Sequence, residues 1–155
     1  TQLFLGLSLA IAPVGGWLAV RGEFAVAPLV LSAAVLTWVA GFDVIYACQD
    51  VDVDRSAGLG SIPARFGVAR ALVLSRLLHA GTVLLLGSLA TLLPLHPVYL
   101  GGVALVAVCL AIEHSLVSAT DLSRVNVAFF TANGIVSVAY FVASLVAVAL
   151  RRGPP

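Results

Sequence analysis

Lysine and methionine are both absent from this 155-residue chain, so its eight basic residues are all arginines, and with seven acids the charged residues reach only 10%. A water-soluble domain carries about a quarter charged residues, so an ordinary soluble fold is excluded. The net charge of +1 leaves no basic footprint for nucleic acid. Cysteine is scarce too. Cys48 and Cys109 have no metal-ligand spacing and form no disulfide framework, and small buried residues are the expectation for both. No phosphate-cradling glycine loop and no Ser/His/Asp arrangement is present. The first segment has neither a basic start nor a small-residue cleavage site, so it is not a cleavable signal. With Thr1 first and no methionine anywhere, the chain is expected to be a piece of a longer protein.

What is abundant is apolar surface: 61% of residues are hydrophobic and the mean hydropathy is +1.13. Uncharged runs of roughly 17–25 residues can cross a bilayer as helices. Five are legible: Leu3–Val20, Phe24–Phe42, Leu77–Val98, Tyr99–Ile112 (extended through Thr120) and Val125–Leu150. The expected fold is all-α, a polytopic transmembrane helix bundle. Pro94 and Pro97 mark the turn between the third and fourth spans. Arg55, Arg65, Arg70, Arg76 and Arg124 lie on one side of the membrane, and Arg21, Arg151 and Arg152 on the other. This bias predicts a cytoplasmic loop after the second span.

That loop holds four of the seven acids, Asp43, Asp50, Asp52 and Asp54. On a continuous α-helix at about 100° per residue, positions seven apart fall within roughly 20° and positions four apart within roughly 40°. Asp43, Asp50 and Asp54 would then form one stripe beside Tyr46, with Asp52 on the opposite side. Like charges in such a stripe repel, and acids at membrane depth are rare and functional. Mg²⁺ resolves the repulsion, because it takes one or two carboxylates together with phosphate oxygens and water. Arg55 and Arg65 follow, suited to diphosphate through the guanidinium fork. The residues therefore suggest a Mg²⁺–diphosphate site. A solvated interfacial loop that only signals topology is the plainer alternative.

Other polar residues sit inside the spans. Asn126, Asn133, Ser137 and Tyr140 are spaced to share one helix face, either bonding between helices or lining a cavity. Glu113 and His114 are expected to mark a membrane edge, and His79 to be a buried polar group. Phe42, Tyr46, Phe129, Phe130 and Tyr140 are candidate walls for an apolar cavity, with plain helix packing as the alternative.

The run 43-DVIYACQDVDVDRSAGLGSIPARFG-67 resembles the second aspartate-rich motif of the UbiA superfamily of intramembrane prenyltransferases. Its D-x-x-Y-A-x-x-D-x-x-x-D-x-x-x-G-x-x-S pattern is most similar to the 4-hydroxybenzoate polyprenyltransferase branch. The stretch 125-VNVAFFTANG-134 is similar to the last helix of that branch. The resemblance implies a nine-helix bundle of which the five spans match helices 5–9, so that residues 1–155 are the C-terminal part of one prenyltransferase domain. It implies Mg²⁺-dependent transfer of a polyprenyl group from polyprenyl diphosphate to an aromatic acid in quinone biosynthesis, in a bacterial or archaeal inner membrane.

By position, Asp50 and Asp54 match the catalytic metal-binding pair. Asp43, Tyr46 and Gln49 match flanking substrate positions, to which Arg55, Arg65, Asn126 and Asn133 are added. Two departures stand out. The first aspartate-rich motif, N-D-x-x-D-x-x-x-D, is nowhere in this chain, so the chain alone is expected to be inactive. Gly60 occupies a position where many members carry Lys or His, a contact that Arg55 or Arg65 would replace. The alternatives are prenylation of another aromatic acid in an alternative menaquinone route, or, from another class, a cation-binding channel or transporter.

Overall fold

The computed structural model describes residues 2–151; Arg152, counted in the charge bias, lies outside the described residues. Apolar stretches close their backbone hydrogen bonds locally, the only economical solution in a bilayer, and α1 accommodates Pro13 in its interior. The result is seven helices: α1 (Gln2–Arg21), α2 (Val26–Ala47), α3 (Val51–Ser56), α4 (Ile62–Phe66), α5 (Val68–Leu92), α6 (Val98–Ser115) and α7 (Asn133–Ala149). A 3₁₀ turn (Cys48–Asp50) joins α2 to α3, and a π-helical segment (Val127–Ala132) leads into α7. No strand occurs among the described residues, and five helical stretches are long and apolar enough to span a membrane. The all-α polytopic fold expected from the sequence is the fold observed.

Three span boundaries stand out as different from expectation. α5 starts at Val68 rather than Leu77, because Gly67 (φ 86°) ends α4 and the next turn carries Arg70 and Arg76 in a helix that has not yet entered the apolar layer. It ends at Leu92, where Leu93 turns extended before Pro94. α6 stops at Ser115 instead of running to Thr120. Ser118 and Asp121 close a tight turn there, with Asp121 N donating to Ser118 O and Oγ.

α2 is the central helix, flanked by α1 and α5. Small residues set the spacing, as is usual between membrane helices. A Cβ on Gly6 would stand 2.8 Å from the Leu36 carbonyl oxygen, one on Gly41 would collide with the His79 ring, and one on Gly102 would collide with Ala143. Thr37 Oγ1 meets Thr82 Oγ1 at 2.9 Å, and Ser75 Oγ donates to Gly41 O at 2.7 Å, tying α2 to α5. Two apolar cores result. One lies at the Asp-rich end, around Val44, Ile45, Leu72, Val125 and Ala128; the other surrounds Ala34, Leu86, Tyr99, Val106 and Val136. Both cysteines are free.

Candidate functional site

The Asp-rich segment leaves the bundle as a broken helix. Three residues at three per turn overwind the chain by roughly 60° relative to an α-helix. This shifts Asp43 from about 20° on one side of Asp50 to about 40° on the other, so it stays near that face, and Asp50 and Asp54 remain one α-turn apart. Asp43 and Asp54 are half-buried, and Asp50 and Asp52 are exposed. Asp50 sits at the joint with φ −98° and ψ 11°. Beyond it α3 ends in a full left-handed cap at Gly58 (φ 67°), in which Gly58 N donates to Arg55 O and Leu59 N to Asp54 O at 2.8 Å. Ser61 then caps α4, its Oγ accepting from Ala64 N.

Arg55 is held by this hairpin. Its Nε donates to Ala64 O at 3.2 Å, which spans the loop and leaves the rest of the guanidinium fork uncommitted. Arg65 lies 5.9 Å from the Phe66 ring centre, and Gln49 Nε2 reaches only the Tyr46 carbonyl. Among the described residues, no basic side chain forms an ion pair with Asp43, Asp50, Asp52 or Asp54. No three His, Cys, Asp or Glu side chains converge as a metal cage there either. Two neighbouring, unneutralised carboxylates are what Mg²⁺ takes when phosphate and water complete its shell, so the donor set fits such an ion shared with a ligand and not an all-protein cage.

At the end of α2 stands an aromatic wall. The Phe129 ring packs 4.5 Å from Tyr46, 5.2 Å from Phe42 and 4.8 Å from Phe130, centre to centre, and Trp38 meets Phe42 edge-on at 5.9 Å. The wall depends on the π-helical segment, whose wider turn carries Phe129 and Phe130. Asn133 secures it: Nδ2 donates to Phe129 O at 2.7 Å while Oδ1 accepts from Trp38 Nε1 at 2.9 Å. Asn126 precedes the widened turn and is exposed, so the two asparagines have different surroundings. Tyr140 pairs its hydroxyl with that of Tyr99 at 3.1 Å and lines the apolar cavities further along the bundle, one of them together with Trp38.

A cavity of about 370 Å³ opens beside Phe42, Phe129, Phe130 and Asn133. It shares Trp38 and Ser137 with a second of about 170 Å³, which shares Leu31 and Tyr140 with a third of about 540 Å³ that reaches Trp17 and Arg21. The three form a string of almost wholly apolar spaces running from the Asp-rich end toward the opposite ends of the helices.

The UbiA prenyltransferase family model matches residues 1–150. The chain belongs to that family. This UbiA-family chain is 35% identical over 97 residues to a 4-hydroxybenzoate solanesyltransferase of Synechocystis sp., covering 61% of the chain and 33% of that protein. It is 42% identical over 69 residues to the mitochondrial 4-hydroxybenzoate polyprenyltransferase of Arabidopsis thaliana, covering 43% and 16%. It is also 36% identical over 66 residues to the UbiA prenyltransferase claS of Ampulloclitocybe clavipes, covering 43% and 21%. These matches span no more than about a third of the length of the relatives. No solved structure matches.

Glu113, expected to mark a membrane edge, lies in the last turn of α6 and is fully buried within the bundle, where His79 and His114 meet beside it. The adjacent Glu-His pair was visible, but its partner His79, 34 residues earlier, could be supplied only by folding.

Proposed function

We propose that the protein to which this chain belongs is an integral-membrane aromatic prenyltransferase, moving a polyprenyl group from polyprenyl diphosphate to an aromatic acid of the 4-hydroxybenzoate type. The observation that carries this reading is the Asp50/Asp54 pair beyond the end of α2, with Asp50 four residues after Tyr46 of the Phe42–Tyr46–Phe129 wall. The relatives' names favour the same acceptor class. The C1–O bond of the prenyl diphosphate breaks with its electron pair leaving on diphosphate. A bond forms from C1 to a ring carbon, and that carbon then loses its proton.

Asp50 and Asp54 would hold Mg²⁺, which when bound supplies charge neutralisation for the departing diphosphate. The uncommitted part of the Arg55 guanidinium offers the diphosphate oxygens a second, metal-independent partner, with Arg65 across the loop. Tyr46 and Phe129 turn ring faces to a developing allylic cation and exclude water from it. Asp43, half-buried beside this wall, and Gln49 flank the same opening. The prenyl tail would follow the string of apolar cavities. The four arginines in and just after the Asp-rich loop, with Arg124 in the loop before the last span, support a cytoplasmic orientation of that side. This stretch carries one carboxylate motif only, so by itself it would be inactive.

The test is product formation by the full-length protein in membranes with Mg²⁺, a polyprenyl diphosphate and a panel of aromatic acids including 4-hydroxybenzoate. Asp50→Asn and Asp54→Asn should each abolish product, and Asp52→Asn should retain it. Equal losses at all three positions, or a wild type that prenylates none of the acids, would end this reading. Cation conduction without prenyl transfer would favour a channel.

A further inference from the structure

At the level of Trp38–Gly41, α2, α5 and α6 enclose three ionisable side chains that the reaction above does not use. Glu113 is 0% exposed and His79 2%. His79 Nε2 lies 3.2 Å from the Trp38 carbonyl oxygen. Its Nδ1 lies 3.0 Å from His114 Nε2 and 3.8 Å from Glu113 Oε2. Neither Glu113 oxygen, nor His114 Nδ1, has a hydrogen-bond partner among the described residues. The Gly41 backbone is pressed against the His79 ring, leaving room for no side chain.

Hydrogen-bond logic fixes the protons. A carbonyl oxygen only accepts, so His79 Nε2 carries a proton. In neutral His79 the other ring nitrogen is then bare and must accept from His114 Nε2–H. An additional proton can enter His79 only at Nδ1, where it faces Glu113 and turns His114 Nε2 into the acceptor. An ionised carboxylate buried at this depth without a partner is too costly to persist. Either Glu113 holds the proton, or it stands opposite a His79 that does. The two forms have the same number of protons: in the second Glu113 has lost one, His79 Nδ1 has gained one, and His114 carries its proton on Nδ1 instead of Nε2.

The surroundings supply no competing acid. α2 contributes the Trp38 carbonyl and Gly41. α5 contributes Ser75, bonded to Gly41 O, and Arg76, the charged neighbour of His114. From α7 the Asn133 amide faces Glu113, outside hydrogen-bond geometry. Trp38 links this cluster to the aromatic wall. Its carbonyl accepts from His79, its indole donates to Asn133, and Asn133 holds the Phe129 carbonyl in the π-helical segment.

We infer that Glu113, His79 and His114 form a shared-proton site inside the bilayer, and that through Trp38 and Asn133 this site positions the Phe129 wall. The inference rests on the prenyl-transfer reading for its kinetic consequence only. His79, Glu113 and His114 are positioning residues, since none of them touches the wall itself.

The experiment uses the full-length protein in lipid membranes with two readouts. Infrared spectra across pH should contain the C=O stretch of a protonated carboxylic acid that Glu113→Gln removes and His79→Gln displaces. Prenyl transfer should show a kcat–pH profile with an inflection missing from both Gln variants, while KM for the prenyl diphosphate stays near wild type. His79→Leu, which lacks any donor for the Trp38 carbonyl, should lower kcat on the order of 10–100-fold, the scale of a small misplacement at the reacting centre. Should His79→Leu fail to fold, His79→Gln, which keeps an N–H for that carbonyl, decides alone. A carboxyl band untouched by Glu113→Gln overturns the shared proton, and wild-type kcat–pH profiles in both Gln variants overturn the positioning role. If no aromatic acid is prenylated, the infrared readout still tests the proton site, so the two failures are distinguishable.

Discussion

The two acidic regions of this chain solve opposite problems. Asp50 and Asp54 lie at the end of a helix that breaks as it leaves the bilayer, open to solvent on at least one side, and no arginine neutralises them. Glu113 lies inside the bundle at 0% exposure, with His79 of the facing helix α5 3.8 Å away and His114 next to it on α6. A carboxylate at an interface keeps its charge cheaply and remains available to a ligand, whereas one in hydrocarbon must share a proton or find a cation. The outer pair is therefore suited to capture and the inner group to holding structure. One fold carries both because α2 touches each, through Asp43 and Tyr46 at its end and through Trp38 and Gly41 further in.

The comparison breaks most visibly if function and stability are separated. Asp50→Asn should cost on the order of 10²–10³ in kcat, the scale for losing one group that stabilises departing charge, with no change in the thermal unfolding midpoint of the full-length protein. A matching fall in the midpoint would mean that the outer acids are structural after all.

Gly41→Val tests the inner region. The added side chain must displace the His79 ring or spread α2 from α5, so a loss of about 1–3 kcal/mol is expected from overpacking, read as a lower unfolding midpoint in detergent. Next in size is Gly58→Ala at the outer loop. The positive φ there strains any other residue, and about 1 kcal/mol should be lost, visible as faster proteolysis between Asp54 and Ser61.

Trp38→Phe keeps the ring but removes the donor to Asn133. Interhelical bonds of this kind average about 0.6 kcal/mol in membranes, so a small midpoint shift is expected, and a double-mutant cycle with Asn133→Ala should show the coupling.

The smallest effect concerns Asp121, in the exposed turn before the last helix. Bonds from Ser123, whose backbone N donates to Oδ1 at 2.9 Å, hold its carboxyl below the ordinary value of 3.8. A depressed pKa stabilises the folded turn above 3.8, and this stabilisation is withdrawn as the pH falls through the lower folded value. Asp121→Asn should therefore flatten the acid limb of stability and leave neutral pH unaffected.

The legible part of this fold followed from composition. Transfer of apolar side chains into lipid favours five helices wherever charge is absent, so the spans were readable to within a few residues except where Gly67 and Ser118 imposed local turns. The Asp50/Asp54 spacing and the run of turn residues after it were likewise readable, because a helix end and its caps depend on neighbours only a few positions away. The 3₁₀ turn at Cys48–Asp50 was not: periodicity assumes a uniform helix, and nothing in the local sequence announced the overwinding that shifts Asp43 round the axis relative to Asp50. The π-helical segment likewise left Asn126 exposed while Asn133 found Trp38.

By itself, then, the sequence determined an all-helical, membrane-spanning chain with two carboxylates one turn apart at an interface, since hydropathy and short-range spacing act along the chain. Tertiary structure decided that Glu113 is buried, that His79 meets it across 34 residues, that Trp38 bonds Asn133 across 95, and that Tyr140 bonds Tyr99 where it lines the further cavities. These pairings exist only once helices pack, because each depends on close approach at glycines and on which face a neighbour offers, and neither is encoded in any single helix.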